Sequence, residues 1–246
     1  MDLSICIPTY RGAFRLARLL ATLPSNLDAE LLVCDDGSPE PDAQDIADVV
    51  AASPLPSRVL SGSGNRGAVA ALRDLTQAAT GRKILQLDDD VIIPEGFFEV
   101  MDVLLGLPNV GVLSWRACGM VTGHLEPGQS ELPRLGFVEP ATELAGYCMA
   151  YRRSVLEEVG GIDTRYKMYC SDSDFTLRVM LAGHPCYRVW WPLVPHEEHG
   201  VYKDPDNATL RLTRDRVTPE DAAAFLSKWG AMGPEMESRA LARLRR

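Results

Sequence analysis

Asp88, Asp89 and Asp90 follow the apolar run Ile84-Leu85-Gln86-Leu87 and precede Val91-Ile92-Ile93-Pro94. Three adjacent carboxylates repel one another unless positive charge sits among them. At the mouth of a buried strand, a divalent cation supplies that charge, and hard oxygen ligands suit Mg²⁺ or Mn²⁺. A solvated acidic turn would carry the same letters, so a second signal is needed. It comes from Leu31-Leu32-Val33-Cys34, another apolar run that ends in acids, at Asp35-Asp36-Gly37-Ser38. Asp, Gly and Ser are ordinary turn residues; two apolar strands that both end in aspartates form a pattern. In open α/β sheets, ligands bind beyond the carboxyl ends of the strands. The two clusters would then face one cleft, one reading a nucleoside and the other holding its phosphates through a metal.

Three further groups have chemical potential. Asp172 and Asp174 stand two apart at the start of an amphipathic segment. One can act as a base while the other caps the helix, or both can serve as N-terminal helix acids. His196-Glu197-Glu198-His199 is flanked by Pro195 and Gly200; the spacing reads as a loop and fails the H-E-x-x-H pattern of a zinc protease. Gly62-Ser63-Gly64-Asn65-Arg66-Gly67 fits G-x-G-x-x-G, with Asp88 beyond it at the next strand end. That is the local description of a dinucleotide site, so an NAD(P)-dependent oxidoreductase is a rival from another reaction class. Against it, the run is not at the first βα turn, a ribose needs one acid where this strand end has three, and Asp35 and Asp36 would have no role. A nucleotidyltransferase would need a basic glycine-rich loop near the N-terminus, where Pro8–Gly12 offers only Arg11. A non-catalytic sugar-nucleotide-binding module has no use for the full acid set. Trp115, Trp190 and Trp191 can stack on sugar faces, although aromatic residues in strands are more often core.

The elements that must position these groups alternate. Strands are expected at Leu3–Ile7, Glu30–Cys34, Arg58–Leu60, Lys83–Leu87 and Val110–Trp115, with helices at Ala13–Leu23, Asp45–Ala52, Gly67–Thr80 and Glu95–Leu105 between them. This predicts βαβ units and a largely parallel sheet flanked by helices. Cys118–Glu143 lacks periodicity and reads as a long loop. Then come a strand at Tyr147–Tyr151, helices from Ser154 and from about Asp174 to Ala182, a strand at Pro185–Trp191 and a polar C-terminal helical extension. With 246 residues, 46% hydrophobic and 24% charged, the chain can build one sizeable core. A net charge of −9 speaks against a general nucleic-acid partner. The six cysteines form no C-x-x-C pair and suit a reducing compartment. No signal peptide and no run long enough to span a bilayer is seen, so a cytoplasmic protein is expected. Arg239, Arg243, Arg245 and Arg246 could bring the C-terminus to the inner membrane face as a weak peripheral contact.

Taken in order, these motifs resemble a GT-A fold, family 2 glycosyltransferase. Ile5-Cys6-Ile7-Pro8-Thr9-Tyr10 and Val33-Cys34-Asp35-Asp36-Gly37-Ser38 look like the family's opening. Asn65-Arg66-Gly67 with Arg73 looks like its N-x-G and following arginine, and Leu87-Asp88-Asp89-Asp90 like its D-x-D strand end. Arg153–Asp163 and Asp172–Arg178 are similar to its G-G-F-D segment and its E-D-x-D-L-x-x-R helix start. The likeness spans about residues 3–200. It implies a metal-dependent, inverting transfer from a nucleotide-diphosphate sugar to an acceptor hydroxyl, with Mn²⁺ or Mg²⁺ as cofactor. It also implies a carbohydrate, lipid-linked or small-molecule acceptor, as in polysaccharide biosynthesis.

Carried over by position, the nucleotide side comprises Pro8, Thr9, Tyr10, Asp36, Asn65, Gly67, Arg73, Asp88 and Asp89, with Thr9 and Asp36 at the base. Asp36 can accept from an imide N–H, which favours a UDP- or dTDP-sugar; guanine carries such a group too. Asp90 and His196 are the expected metal ligands, although counting back from Pro94 equally suggests Asp89, and His199 is the alternative histidine. Asp172 matches the general base. Trp115, Gly146, Ser171 and His199 are assigned to the acceptor and sugar. Arg11, Asp74 and Ser171 depart from the family pattern. One domain over residues 1–215 is expected, with a nucleotide-sugar half (1–115) and an acceptor half (116–215), followed by the extension at 216–246.

Overall fold

The computed structural model describes residues 1–119, 138–141, 144–196 and 208–230. Strand and helix alternate through the first half: β1 (Leu3–Thr9), α1 (Ala13–Leu20), β2 (Ala29–Asp35), α2 (Asp42–Ala51), β3 (Ser57–Ser61), α3 (Ala68–Ala78), β4 (Lys83–Leu87), α4 (Phe97–Gly106) and β5 (Val112–Gly119). The second half holds β6 (Val138–Pro140), β7 (Cys148–Arg152), α5 (Arg153–Glu158), α6 (Ser171–Leu181), β8 (Tyr187–His196) and α7 (Ala208–Trp229). Among the described residues the strands form one sheet in the order β3-β2-β1-β4-β7-β5-β8-β6. The β3-β2-β1-β4 portion is parallel. β7 inserts antiparallel between β4 and β5, β8 runs parallel to β5, and β6 is antiparallel to β8. The mixed α/β sheet flanked by helices agrees with the expected fold.

Strand side chains point alternately to the two faces. Ile5, Ile7, Leu31 and Val33 join α1, α2 and α4 in one core, through Leu16, Leu19, Ile46 and Phe97. Cys6, Leu32 and Cys34 face the other core, with Leu72 and Leu75 of α3 and Phe175 and Val179 of α6. Each such aliphatic side chain contributes ~1.5–3 kcal/mol on burial. With both faces covered, β2 reads as a continuous apolar run over Leu31–Cys34, and its terminal Asp35 and the following Asp36 mark the carboxyl end of the strand.

Several elements differ from the expectation. β8 runs on to His196, past Pro192 and Pro195. Proline is tolerated there because β6 pairs only with Tyr187–Val189 and the β5–β8 register shifts between Trp115 and Ala117. His196 is therefore the last residue of a strand and not a loop residue. β6 lies within the stretch read as a loop, most of which falls outside the described residues. α6 starts at Ser171, so Asp172 is in its first turn. The boundary drawn after residue 215 falls inside α7.

Candidate active site

β4 ends at Leu87, and the chain turns through the three aspartates. Asp88 donates its backbone N–H to the Tyr147 carbonyl at 2.9 Å, and Ile92 donates to the Pro195 carbonyl at 2.9 Å. An antiparallel bridge joins Val91 to His196. The end of β8 is thereby sewn to the acidic turn, bringing a histidine to acids distant in sequence. His196 Nε2 lies 3.1 Å from Asp90 Oδ1 and 3.9 Å from Asp88 Oδ2. Its ring stacks on Tyr147, with centroids 4.5 Å apart. Asp88, Asp90 and His196 each offer one ligand atom within 4.8 Å of the others. Desolvation by the cleft walls, then the Asp90 carboxylate, raises the Asp88 carboxyl above its ordinary range, against the pull of His196. Two carboxylates forced together beside an imidazole suit a divalent cation such as Mn²⁺, so this trio fits the expected metal.

Asp89 has different partners. It accepts from Thr9 Oγ1 at 2.5 Å and from Arg15 Nε and Nη2 at 3.0 and 3.1 Å. Gly12 makes room for this knot: a Cβ there would stand 2.0 Å from Asp89 Oδ2 and 2.3 Å from Thr9 Oγ1. Thus Asp90, not Asp89, faces His196, and Asp89 ties the β4 turn to the end of β1 and to α1.

Beyond β2, buried Asp36 accepts the Gly67 N–H through Oδ2 at 2.7 Å, and Oδ1 faces Arg66 Nε at 3.7 Å. Burial raises the Asp36 carboxyl; the Arg66 and Gly67 backbone N–H groups and the Arg66 charge work the other way. The glycine run thus opens α3 next to the edge strand β3, and its last N–H is taken by a carboxylate of this chain. A dinucleotide fingerprint belongs at the first βα turn, which here lies between β1 and α1, so the place of the run counts against the oxidoreductase reading. Gly67 adopts φ +96°, and a Cβ there would lie 2.5 Å from the Lys167 carbonyl oxygen.

Asp172 sits in the first turn of α6. Its Oδ2 accepts the Gly146 N–H at 3.0 Å and its Oδ1 accepts the Ser173 N–H at 2.8 Å. Gln86 of β4 donates to the Gly146 carbonyl at 2.7 Å. Gly146, through the two peptide groups that flank it, therefore links the β4 strand to the carboxylate on α6. Asp174, by contrast, is fully buried and bonded to Arg178, Tyr166 and Trp229, with Lys228 Nζ at 2.6 Å. It does not cap the helix as the sequence suggested; it binds α6 to α7.

A cleft of about 450 Å³ gathers most of the expected residues: Pro8, Thr9, Tyr10, Asp36, Asn65, Gly67, Asp88, Asp89, Asp90, Gly146, Ser171, Asp172 and His196. Arg73 is not among them; it is turned to Asp74, at 2.8 Å. Trp115 is 1% exposed and packs on Phe97, so it is core and does not present a face to a sugar. His199 lies outside the described residues. The cleft also includes Arg15, Gln86, Tyr147, Met168 and Tyr169, which sequence reasoning did not single out. For Gln86 a signal existed: it is the one uncharged polar residue in a buried apolar strand that runs into the acidic turn.

The model of the family described as Glycosyl transferase family 2 matches residues 4–160. Among solved structures, S. aureus TarS 1-349 in complex with UDP-GlcNAc is 20% identical with a TM-score of 0.62, covering 79% of this chain and 57% of that one. The mannosyltransferase PcManGT from Pyrobaculum calidifontis, in complex with GDP-Man and Mn²⁺, is 16% identical with a TM-score of 0.64, covering 98% and 79%. GalNAc-T7 with UDP, GalNAc and Mn²⁺ is 13% identical with a TM-score of 0.65, covering 80% and 44%. This chain spans 36% of the longer TarS chain. No curated protein sequence matches it significantly.

Proposed function

This chain belongs to glycosyl transferase family 2, and from that premise we propose that it moves a sugar from a nucleotide-diphosphate sugar to an acceptor hydroxyl, with inversion at the anomeric carbon. The observation that carries the reading is one cleft holding both the Asp36 pocket and the Asp88–Asp90–His196 cluster, with Asp172 on a third wall. Pro8, Thr9, Tyr10, Asn65 and Gly67 form the nucleotide side, and Asp36 accepts from the base. An imide N–H on uracil or thymine suits that carboxylate, so a UDP- or dTDP-sugar is the proposed donor. TarS and GalNAc-T7 were solved with UDP ligands and PcManGT with GDP-Man; guanine, which also carries a ring N–H, is the competing base.

Asp88, Asp90 and His196 would hold Mn²⁺ or Mg²⁺. When bound, the metal supplies positive charge next to the leaving diphosphate. Asp172 takes the proton from the acceptor hydroxyl, whose oxygen attacks the anomeric carbon as the bond to the nucleoside diphosphate breaks. Attack from the face opposite the leaving group inverts the centre. General-base assistance of this kind is worth ~10²–10⁴-fold. Gly146, with its N–H on Asp172, fixes the carboxylate, and Ser171 adjoins it on the acceptor side. A carbohydrate, lipid-linked or small-molecule hydroxyl fits the proposal equally.

A thermal-shift panel of UDP, dTDP, GDP, ADP and NAD, with Mn²⁺ and with EDTA, tests the reading. UDP or dTDP should stabilise the protein only with metal. Equal shifts in EDTA would remove the metal's role, and stabilisation by NAD alone would overturn the transferase assignment.

A further inference from the structure

α7 lies beyond the residues matched by the family, 4–160, yet one of its faces meets the segment that leads into Asp172. Val217, Asp221, Phe225 and Lys228 recur at helical spacing along that face. Asp221 is 1% exposed. Its Oδ1 accepts the backbone N–H of Lys167 at 2.9 Å; its Oδ2 accepts those of Met168 at 2.9 Å and Tyr169 at 2.8 Å. Three successive peptide donors converging on one carboxylate fix a stretch between α5 and α6 that no strand or helix holds. Met168 and Tyr169 line the cleft, and Asp172 follows three residues later. The same stretch reaches the nucleotide side: the Lys167 carbonyl accepts the Val69 N–H at 3.3 Å, next to Gly67.

We propose that Asp221 is a positioning residue that holds residues 167–169 as a wall of the cleft, so that α7 is a working part of the active site. Its effect on turnover rests on the glycosyltransferase reading; the hold on the wall does not. Asp221→Ala removes all three acceptors. Asp221→Asn keeps one acceptor oxygen and turns a donor toward the remaining N–H. Val217→Ala trims the same helix face while keeping the Asp221 carboxylate and serves as the stability control.

The full chain of each variant is examined by hydrogen exchange and by turnover of whichever sugar nucleotide the wild type consumes. In Asp221→Ala, amides 167–169 should exchange at least about tenfold faster while those of β4 and of α3 beyond its first turn hold, with Asp221→Asn between the two. Misplaced catalytic walls cost up to ~10²-fold, so kcat should fall toward that limit while KM for the sugar nucleotide stays within about threefold. Unchanged exchange at 167–169 overturns the proposal. So does faster exchange with kcat equal to that of Val217→Ala. If the wild type consumes no sugar nucleotide, the functional reading has failed, and exchange alone decides whether Asp221 holds the wall.

Discussion

Asp89 and Asp90 are neighbours with opposite partners, Arg15 and Thr9 for one and His196 for the other. Exchanging each for asparagine separates a structural tie from a ligand. Asp90→Asn should abolish the Mn²⁺-dependent part of UDP binding measured by calorimetry and leave melting nearly unchanged. Asp89→Asn should act on stability instead. Both members of its pair are largely buried, at 14% and 12% side-chain exposure, and removing one partner of such a pair costs ~3–5 kcal/mol. Chemical unfolding reads that loss. If Asp89→Asn removes the metal dependence and Asp90→Asn keeps it, the ligand assignment reverses. The sequence could not make this choice. Three identical residues follow the last paired position of β4, where strand alternation stops predicting direction, and the deciding partner, His196, comes from a remote strand end. Arg15 was invisible for a related reason. It is one of several arginines around α1, and only the fold shows which of them turns inward.

α6 carries two aspartates two residues apart, and its packing gives them separate roles. Asp172→Asn should lower turnover by ~10²–10⁴-fold with UDP and Mn²⁺ affinity preserved. Asp174→Asn should destabilise by ~3–5 kcal/mol, because it leaves Arg178 without its carboxylate in a buried site, while Lys228 keeps Asp163. Loss of turnover in a folded Asp174 variant alongside an active Asp172 variant would place the base on the wrong residue. The neighbouring Asp163 gives this region a pH signature. Burial works to raise its carboxyl, but hydrogen bonds from Arg165 and Lys228 outweigh it and hold the group well below the usual carboxylate range. A depressed folded-state value stabilises the protein above the unfolded value, and the gain is lost as pH falls below ~4. Melting temperature should therefore drop on acidification, and Asp163→Asn should flatten that limb; an unchanged acid limb would show that the ion pair contributes nothing. Alternating apolar runs made the strands and helices of the first half legible. The end of β8 was not, because Pro192 and Pro195 read as breakers when the bulged, half-paired strand needs no N–H there. The buried face of α7 escaped notice because two of its anchors, Asp221 and Lys228, are charged.

The proposed nucleotide-side residues lie near the ends of the parallel strands, the chain then returns through β7 and β8 to bring His196 to the cleft, and α6 supplies the proposed base, Asp172. The α/β class and the acidic strand ends could be read from sequence, since βαβ alternation and strand-end chemistry are local. Strand order could not, because inserting β7 between β4 and β5 is a tertiary choice. Net charge adds a constraint at this scale. At −9 overall, the molecule is repelled by anionic surfaces unless positive charge is concentrated somewhere. Among the described residues no helix is long and apolar enough to cross a membrane. Arg239, Arg243, Arg245 and Arg246, outside the described residues, are such a concentration, worth ~1 kcal/mol each near an anionic leaflet. The expected result is weak flotation of the full chain with anionic vesicles at low ionic strength. It should fade toward ~0.15 M salt, where the Debye length is ~8 Å, and be absent with zwitterionic vesicles. A chain cut after Trp229 retains α7 and loses the four arginines, so it should stay at the bottom of the gradient in every condition. Equal flotation of the two chains would assign any attachment to the body of the protein, and no flotation of either would retire peripheral association altogether.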